Sequence, residues 1–331
     1  MSSKSSILRI LEQQKGSHVS GEDLAKQLQI SRSAVWKAIN ELKKEGYQIT
    51  AVPNRGYCLD PSSDRLSPEG MESYLTEAVS VGNIHVYQLL ESTNVTARQL
   101  ALDGAPHGTV VLAEEQSAGR GRMGRRFASP KHTGIYMSVL LRPHWSAEDS
   151  LLITTAASVA VCRAVEQTTG KSAQIKWVND VYLEGRKVCG ILTEAVTDLE
   201  SGGIESIILG IGVNFSTALA DFPEELQHKA GSLFEKPPEH LDRNRFAAIL
   251  IQEVMALCDT LTSRSFLNEY RERSLVLGKT VQVLPFGKQA YPAKAVDIDE
   301  QGGLVLALAD GSKQVLRSGE VSIRGIFEGD C

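Results

Sequence analysis

Eight residues near the middle of the chain, Gly119-Arg120-Gly121-Arg122-Met123-Gly124-Arg125-Arg126, interleave three glycines with four arginines. Glycine lets a backbone come close to a ligand, and arginine adds fixed positive charge and a planar fork of donors. Such a loop suits a phosphate or a carboxylate. A solvated basic loop would carry the same charges, but it has no need of the glycines. The spacing also fits Gly-x-Gly-x-x-Gly, which in a dinucleotide site opens a helix whose N-terminus faces the pyrophosphate. Here the glycines run into Phe127-Ala128-Ser129-Pro130-Lys131-His132-Thr133-Gly134, where Pro and Gly oppose a helix, and then into the β-forming run 135–141. That context excludes a Rossmann fingerprint and leaves an anion-binding loop between two strands.

Other polar groups punctuate apolar runs. Ser92-Thr93-Asn94 falls between a strand-like stretch, 84–89, and a helical one, 95–102, that ends at Asp103-Gly104. These residues either cap the helix or offer hydroxyl, amide and helix N-terminal groups to a ligand. Ile175-Lys176-Trp177-Val178-Asn179-Asp180 reads as a strand with a polar interruption, followed by a hairpin at Glu184-Gly185 and the apolar strand that Lys187 introduces. A lysine there faces water, or points inward and stabilises charge developing at a phosphorus or carboxyl centre. Gly210-Ile211-Gly212-Val213-Asn214-Phe215 is a further strand whose glycines admit close approach and whose Asn214 is available for polar contact.

These residues need a scaffold, and 331 residues with 42% hydrophobic content suffice for two or three domains. The N-terminus lacks the apolar core of a secretory signal, and the most apolar stretch, 151–165, is interrupted by threonines, a serine and Arg163. A cytoplasmic protein with no membrane association is therefore expected. The five cysteines stand singly without Cys-x-x-Cys spacing, as reduced thiols would. The seven histidines form no ligand-like cluster, so no protein-built metal site is expected. Magnesium stays compatible, because it needs only one or two carboxylates and a substrate's phosphates.

Net charge is −5, yet residues 1–60 hold nine Lys and Arg against six acids. Ile7, Leu8, Ile10 and Leu11 fall at helical spacing and predict a first helix ending near Lys15-Gly16. Ser20 with Asp23 resembles a capping box that opens a second helix. Ser31 caps a third, with Val35, Ile39 and Leu42 on its core face, and Gly46 stops it. Residues 47–52 and 57–59 around Pro53-Asn54-Arg55-Gly56 read as the hairpin wing of a winged helix-turn-helix. On that geometry Arg32, Ser33, Trp36, Lys37 and Asn40 point toward a major groove and Arg55 reaches a phosphate. The same module would also serve protein docking, and Trp36, beside a core position, would then pack. Asp60-Pro61-Ser62-Ser63-Asp64 marks a domain boundary.

In one order along the chain stand Ser-Thr-Asn, Gln116 with the Gly-Arg loop, Lys-Trp-x-Asn-Asp, Lys-x-x-Gly-Ile-Leu and Gly-x-Gly-x-Asn. That set resembles the biotin protein ligases, and the N-terminal winged helix resembles their bifunctional bacterial type, which also represses biotin genes. The likeness extends to a strand-rich C-terminal piece at 280–284, 290–297, 304–308 and 313–316. It implies an α+β chain: a winged helix-turn-helix domain at 1–62, a central mixed α/β ligase domain at 65–275 related to class II synthetase-like folds, and an SH3-like β-barrel at 276–331. It implies a two-step reaction in which biotin's carboxylate attacks the α-phosphate of ATP, with Mg2+, to give biotinyl-5'-AMP. A lysine of the biotin carboxyl carrier protein of acetyl-CoA carboxylase then takes the biotinyl group. No covalent enzyme intermediate is required, in keeping with the lack of a nucleophilic constellation.

By the same resemblance Ser92, Thr93, Asn94, Gln116, Gly119, Arg120, Gly121, Arg122 and Lys187 contact biotin or its adenylate. Arg122 and Lys187 stabilise charge at the α-phosphate and carboxyl. Asn179 and Asp180 position substrate, metal or the incoming lysine, Asn214 contacts the nucleotide, and Arg324 supports ATP binding. Phe127 and Val178 depart from the family's usual tryptophan and proline, which predicts altered packing with intact chemistry. The glycine-rich loop is expected to order when ligand binds, favouring a homodimer and tying operator DNA binding to metabolite level. A lipoate-type ligase and a ligand-sensing transcription factor without turnover are the rival readings.

Overall fold

In the computed structural model, which describes residues 2–77, 79–197, 203–238, 241–284 and 289–323, three serines open the three N-terminal helices. Ser2, Ser20 and Ser31 each accept a backbone N–H three residues on, satisfying one of the helix's orphan donors. The helices are α1 (Ser3–Gln13), α2 (Gly21–Leu28) and α3 (Arg32–Lys44). Ser20 also donates to Asp23 Oδ2 at 2.6 Å, so the expected capping box closes through the serine hydroxyl. Leu11, Leu24, Ile39, Leu42 and Leu59 are fully buried between them. Strands β1 (Ile49–Val52) and β2 (Gly56–Leu59) form the wing, and Val19 extends it through two 2.8 Å backbone bonds with Tyr57.

The central domain begins with α4 (Pro68–Glu72) and continues through β3 (Ile84–Tyr87), α5 (Thr93–Leu102), β4 (Thr109–Ala113), β5 (Gly134–Leu141), α6 (Ala147–Ser150), α7 (Ile153–Thr169), β6 (Gln174–Lys176), β7 (Asp180–Leu183), β8 (Arg186–Thr197) and β9 (Ile204–Asn214). Helices α8 (Arg243–Asp259) and α9 (Phe266–Glu272) complete it. Its seven strands run in the order β3-β4-β5-β9-β8-β7-β6, with only β3 and β4 parallel. Every residue of β4 and β5 is buried, because α7 and α8 cover one face of the sheet and α5 the other. That is why these strands read as near-continuous apolar runs without alternation. The apolar stretch singled out at 151–165 is the body of α7, and each fully buried valine along it contributes about 1.5–3 kcal/mol. Among the described residues no helix is long and apolar enough to cross a membrane.

The C-terminal strands β10 (Thr280–Leu284), β11 (Tyr291–Ile298), β12 (Leu304–Ala307), β13 (Lys313–Leu316) and β14 (Glu320–Ile323) form one antiparallel sheet in the order β13-β12-β11-β10-β14. Its β11–β12 turn docks on the central domain, where Trp177 Nε1 donates to Gly302 O at 3.0 Å and Arg271 Nε to Ile298 O at 2.9 Å.

The stretch marked as a linker is pinned to the core. Arg243, at the start of α8, is wholly buried and reaches Glu114 Oε2 at 2.6 Å and Asp64 Oδ2 at 3.1 Å. Burial alone would raise the Glu114 carboxyl, but the Arg243 guanidinium holds it below its ordinary value. Glu114 also accepts Leu66 N–H at 2.8 Å. The winged helix adds Lys15 to Asp242 at 2.8 Å and an ion pair between Arg9 and Glu72.

Candidate active site

A cavity of about 640 Å³ opens where the N-terminus of α5, loop 119–127, the β6–β7 turn, β8, β9 and the start of β14 converge. A larger cleft of about 1060 Å³, between the winged helix and the central domain, holds none of the predicted catalytic residues. In the smaller cavity the apolar strands end and the polar interruptions begin. Thr93 N–H donates to Gln116 Oε1 at 2.8 Å, and Gln116 Nε2 donates to Ser129 Oγ at 2.8 Å. Ser138 Oγ lies 2.6 Å from Asn94 Oδ1 and 2.7 Å from Thr93 Oγ1, sharing one proton between the two acceptors. Asn94 Nδ2 donates to Glu194 Oε2 at 2.8 Å, and Ser92 is the buried N-cap of α5. The Ser-Thr-Asn run is thus fixed from below by Ser138 and Glu194.

Two glycines of β9 make room for this arrangement. A Cβ on Gly210 would fall 2.2 Å from Asn94 Oδ1, and one on Gly212 2.6 Å from the Phe127 ring. The close approach expected at these glycines comes from the protein's own side chains. Phe127 also meets Tyr136 edge to face, with ring centroids 6.4 Å apart.

Opposite lie two cations held by consecutive residues. Arg122 Nη1 donates to Asn179 Oδ1 at 3.0 Å, and Lys187 Nζ stands 2.7 Å from Asp180 Oδ1, at an angle that makes an ion pair without a well-formed hydrogen bond. Asn179 Nδ2 is itself tied to Ile191 O at 2.9 Å. The Trp177–Val178 peptide ahead of the pair is cis. Loop 119–126 is a small hairpin, with Gly121 N–H to Arg125 O at 2.8 Å, Phe127 N–H to Gly119 O at 2.9 Å, and exposed Met123 in the left-handed region at its tip. Gly119 is needed here, since a Cβ would lie 2.4 Å from Phe127 O. Arg120 pairs with Glu91 at 3.0 Å, and Arg125 with Glu320 of the C-terminal sheet at 2.8 Å.

Of the residues singled out from sequence, Ser92, Thr93, Asn94, Gln116, Arg120, Gly121, Arg122, Asn179, Asp180, Lys187 and Asn214 all line this one cavity. Gly119 supports the loop from behind, and Asn214 Nδ2 is engaged by Gly231 O at 3.0 Å. Arg324 lies outside the described residues. Sequence reasoning missed Ser138, Glu194, Ser129 and Glu320. Ser138 had a signal, as the one serine among the large apolar and aromatic residues of β5; Glu320 had none. Burial pushes the Cys162 and Cys258 thiols up to about 12 and Cys189 well above its ordinary value, so none of the three is a thiolate nucleophile at neutral pH. On the winged helix, Arg32, Ser33, Lys37 and Arg55 are exposed and Asn40 half-buried. Trp36 is 62% exposed, so it does not pack in the core.

Comparison with known proteins bears on each part. Residues 86–214 match the model of the "Biotin/lipoate A/B protein ligase family", 4–58 an HTH domain, and 276–324 a "Biotin protein ligase C terminal domain". The chain is 34% identical over 317 residues to the bifunctional ligase/repressor BirA of Bacillus subtilis (strain 168), covering 93% of this chain and 95% of that one. To its namesake in Escherichia coli (strain K12) the identity is 28%, over 93% and 94% of the two chains. Among solved structures, the biotin protein ligase of Aquifex aeolicus in complex with biotin and ATP aligns with a TM-score of 0.61 and 28% identity, covering 73% of this chain and 98% of that one.

Proposed function

The chain belongs to the biotin/lipoate A/B protein ligase family, and from that premise we infer that it is a biotin protein ligase and a biotin-responsive repressor in one polypeptide. The observation that carries the chemistry is the pairing of Arg122 and Lys187, held by consecutive residues over one cavity. A biotin carboxylate entering that cavity attacks the α-phosphorus of ATP, the bond to the β-phosphate oxygen breaks, and pyrophosphate leaves. Arg122 and Lys187 oppose the negative charge that accumulates at phosphorus and at the carboxyl. In the second step the neutral amine of a carrier-protein lysine attacks the acyl carbon, AMP leaves, and the amine gives up a proton.

Thr93, Asn94 and Gln116 present a fixed rim of hydroxyl and amide groups to biotin, and the wall containing Asn214 faces the nucleotide. Ser92, Arg120 and Gly121 complete the ligand contacts, Gly119 acts on the ligand only by shaping the loop from behind, and Arg324 is assigned to ATP. Asp180 is assigned to magnesium through the carboxylate oxygen that Lys187 does not engage, since Lys187 Nζ stands 2.7 Å from Oδ1, and substrate phosphates would supply the remaining ligands. When bound, the ion would neutralise pyrophosphate charge.

Finer points of the reading are a homodimer formed on ligand binding, operator DNA contacted through Arg32, Ser33, Trp36, Lys37, Asn40 and Arg55, and a carrier protein of acetyl-CoA carboxylase as acceptor. The exposure of Trp36 supports groove contact. We take the units as 1–62, 65–275 and 276–331, the last an SH3-like barrel and the middle one related to class II synthetases. The four cysteines among the described residues are buried and free, which suits a reducing cytoplasm. Pyrophosphate exchange into ATP, run with biotin and with lipoate, tests the assignment. Exchange with biotin alone is expected, and exchange with lipoate alone would overturn it.

A further inference from the structure

Glu320 sits at the start of β14, and its carboxylate is mostly buried. Both of its oxygens engage Arg125: Oε1 lies 2.8 Å from Nη1 and Oε2 2.8 Å from Nη2. Two parallel bonds of this kind fix orientation as well as distance. The neighbouring Gly319 O lies 3.5 Å from Arg122 Nη2. Adjacent residues of the C-terminal sheet therefore touch two arginines of one loop. Glu320 is not itself on a loose segment, since its backbone is set opposite Leu284 by the β10–β14 pairing.

Loop 119–126 is internally tied by the Gly121–Arg125 and Phe127–Gly119 backbone bonds, so holding Arg125 holds the hairpin. Its other corner, Arg120, pairs with Glu91 of the central domain, and both of those side chains are about half exposed. The same C-terminal sheet is anchored across the cavity by Gly302 O on Trp177, two residues from Asn179. It thus braces the arginine loop on one side and the Asn179-Asp180 turn on the other.

We propose that Glu320 is a positioning residue that clamps Arg125 and so makes the C-terminal sheet a wall of the reaction chamber, closing loop 119–126 over the acyl-adenylate. The consequence for the adenylate rests on the assignment of the cavity made above; the clamp itself does not. A closed loop keeps water from the mixed anhydride and retains it until the acceptor lysine arrives.

The test uses the full-length protein with Glu320→Gln, Glu320→Arg, Arg125→Glu and the charge-swapped double variant, all checked for an unchanged melting midpoint. Two readouts are taken: the rate of tryptic cleavage after Arg122 without ligand, and the rate at which labelled biotinyl-5'-AMP escapes the enzyme. Glu320→Gln is expected to raise both about fivefold, the upper range for a partly exposed ion pair, and charge reversal at either position about tenfold. The swapped pair should return within about twofold of the unaltered protein, which a merely structural role for either residue would not produce. Wild-type cleavage and release in Glu320→Gln and Glu320→Arg, or a swap no better than its worse parent, overturns the clamp. Faster cleavage in the variants from a protein that makes no adenylate would support the clamp and refute the assignment of the cavity.

Discussion

Replacing Asn179 by alanine removes the oxygen that holds Arg122 Nη1 at 3.0 Å, without touching the guanidinium. A hydrogen bond with one charged partner is worth about 1.5–3 kcal/mol, and the half-buried position of Asn179 in an open cavity places it toward the lower end. At about 1.5–2 kcal/mol, an Arg122 that works only when aimed should lose roughly 10- to 30-fold in the rate of adenylate formation. The assay is a single turnover of labelled biotin to biotinyl-5'-AMP under saturating biotin and ATP, so that binding losses do not enter. The same substitution made in an Arg122→Ala background should cost less than about twofold, because the interaction is already gone. If Asn179→Ala adenylates within about twofold of the unaltered protein while Arg122→Ala is strongly impaired, Asn179 does not position Arg122. If the two losses multiply, Asn179 acts on its own account.

Other outcomes follow from the same geometry. Arg243→Leu strands the buried Glu114 carboxylate and should cost about 3–5 kcal/mol in urea unfolding at pH 7, whereas the double variant Arg243→Leu with Glu114→Gln should recover part of it. Burial lifts the Glu12 carboxyl to about 7, against an opposing pull from Lys15 and with Asp242 and Glu69 adding to the rise. The folded chain therefore holds a proton there that the unfolded chain releases near 4.5, and stability from this group falls as pH rises through 7. Glu12→Gln should match the unaltered protein near pH 4.5 and exceed it by about 1–3 kcal/mol at pH 8 in the same unfolding measurement. Arg32→Ala and Lys37→Ala should each weaken DNA binding, and a phosphate contact is distinguished from base readout by a drop of about one in the salt slope. Ligand-driven ordering of the arginine loop predicts slower tryptic cleavage after Arg122 with saturating biotin, and an unchanged rate would count against it.

Much of this arrangement is legible in the sequence, because local chemistry set it. Ser2, Ser20 and Ser31 cap the helices they precede, and β4, β10 and β13 begin and end where their apolar and β-forming runs do. The Gly-Arg loop, Ser-Thr-Asn, Asn179-Asp180 and Lys187 line one cavity: the first two follow the ends of β4 and β3, Asn179-Asp180 turn between β6 and β7, and Lys187 is the second residue of β8. What stayed hidden depends on pairings between distant segments. Glu320 meets Arg125 across 195 residues, and Arg243 meets Asp64 across 179. Nothing in the local pattern around Asp60-Pro61-Ser62-Ser63-Asp64 separates a free linker from one whose last residue is fixed by a buried arginine. The glycines of β9 signalled close approach, but whether a ligand or Asn94 and Phe127 would fill the space could be read only from the fold.

The most direct test of the central claim is transfer of labelled biotin to a carrier-protein domain with ATP and magnesium, comparing the unaltered protein with Arg122→Ala and Lys187→Ala. Two cations acting together over one cavity predict labelling of the acceptor lysine by the unaltered protein and a steep fall in both variants. Absence of labelling from the unaltered protein, or full labelling from either variant, would contradict the account.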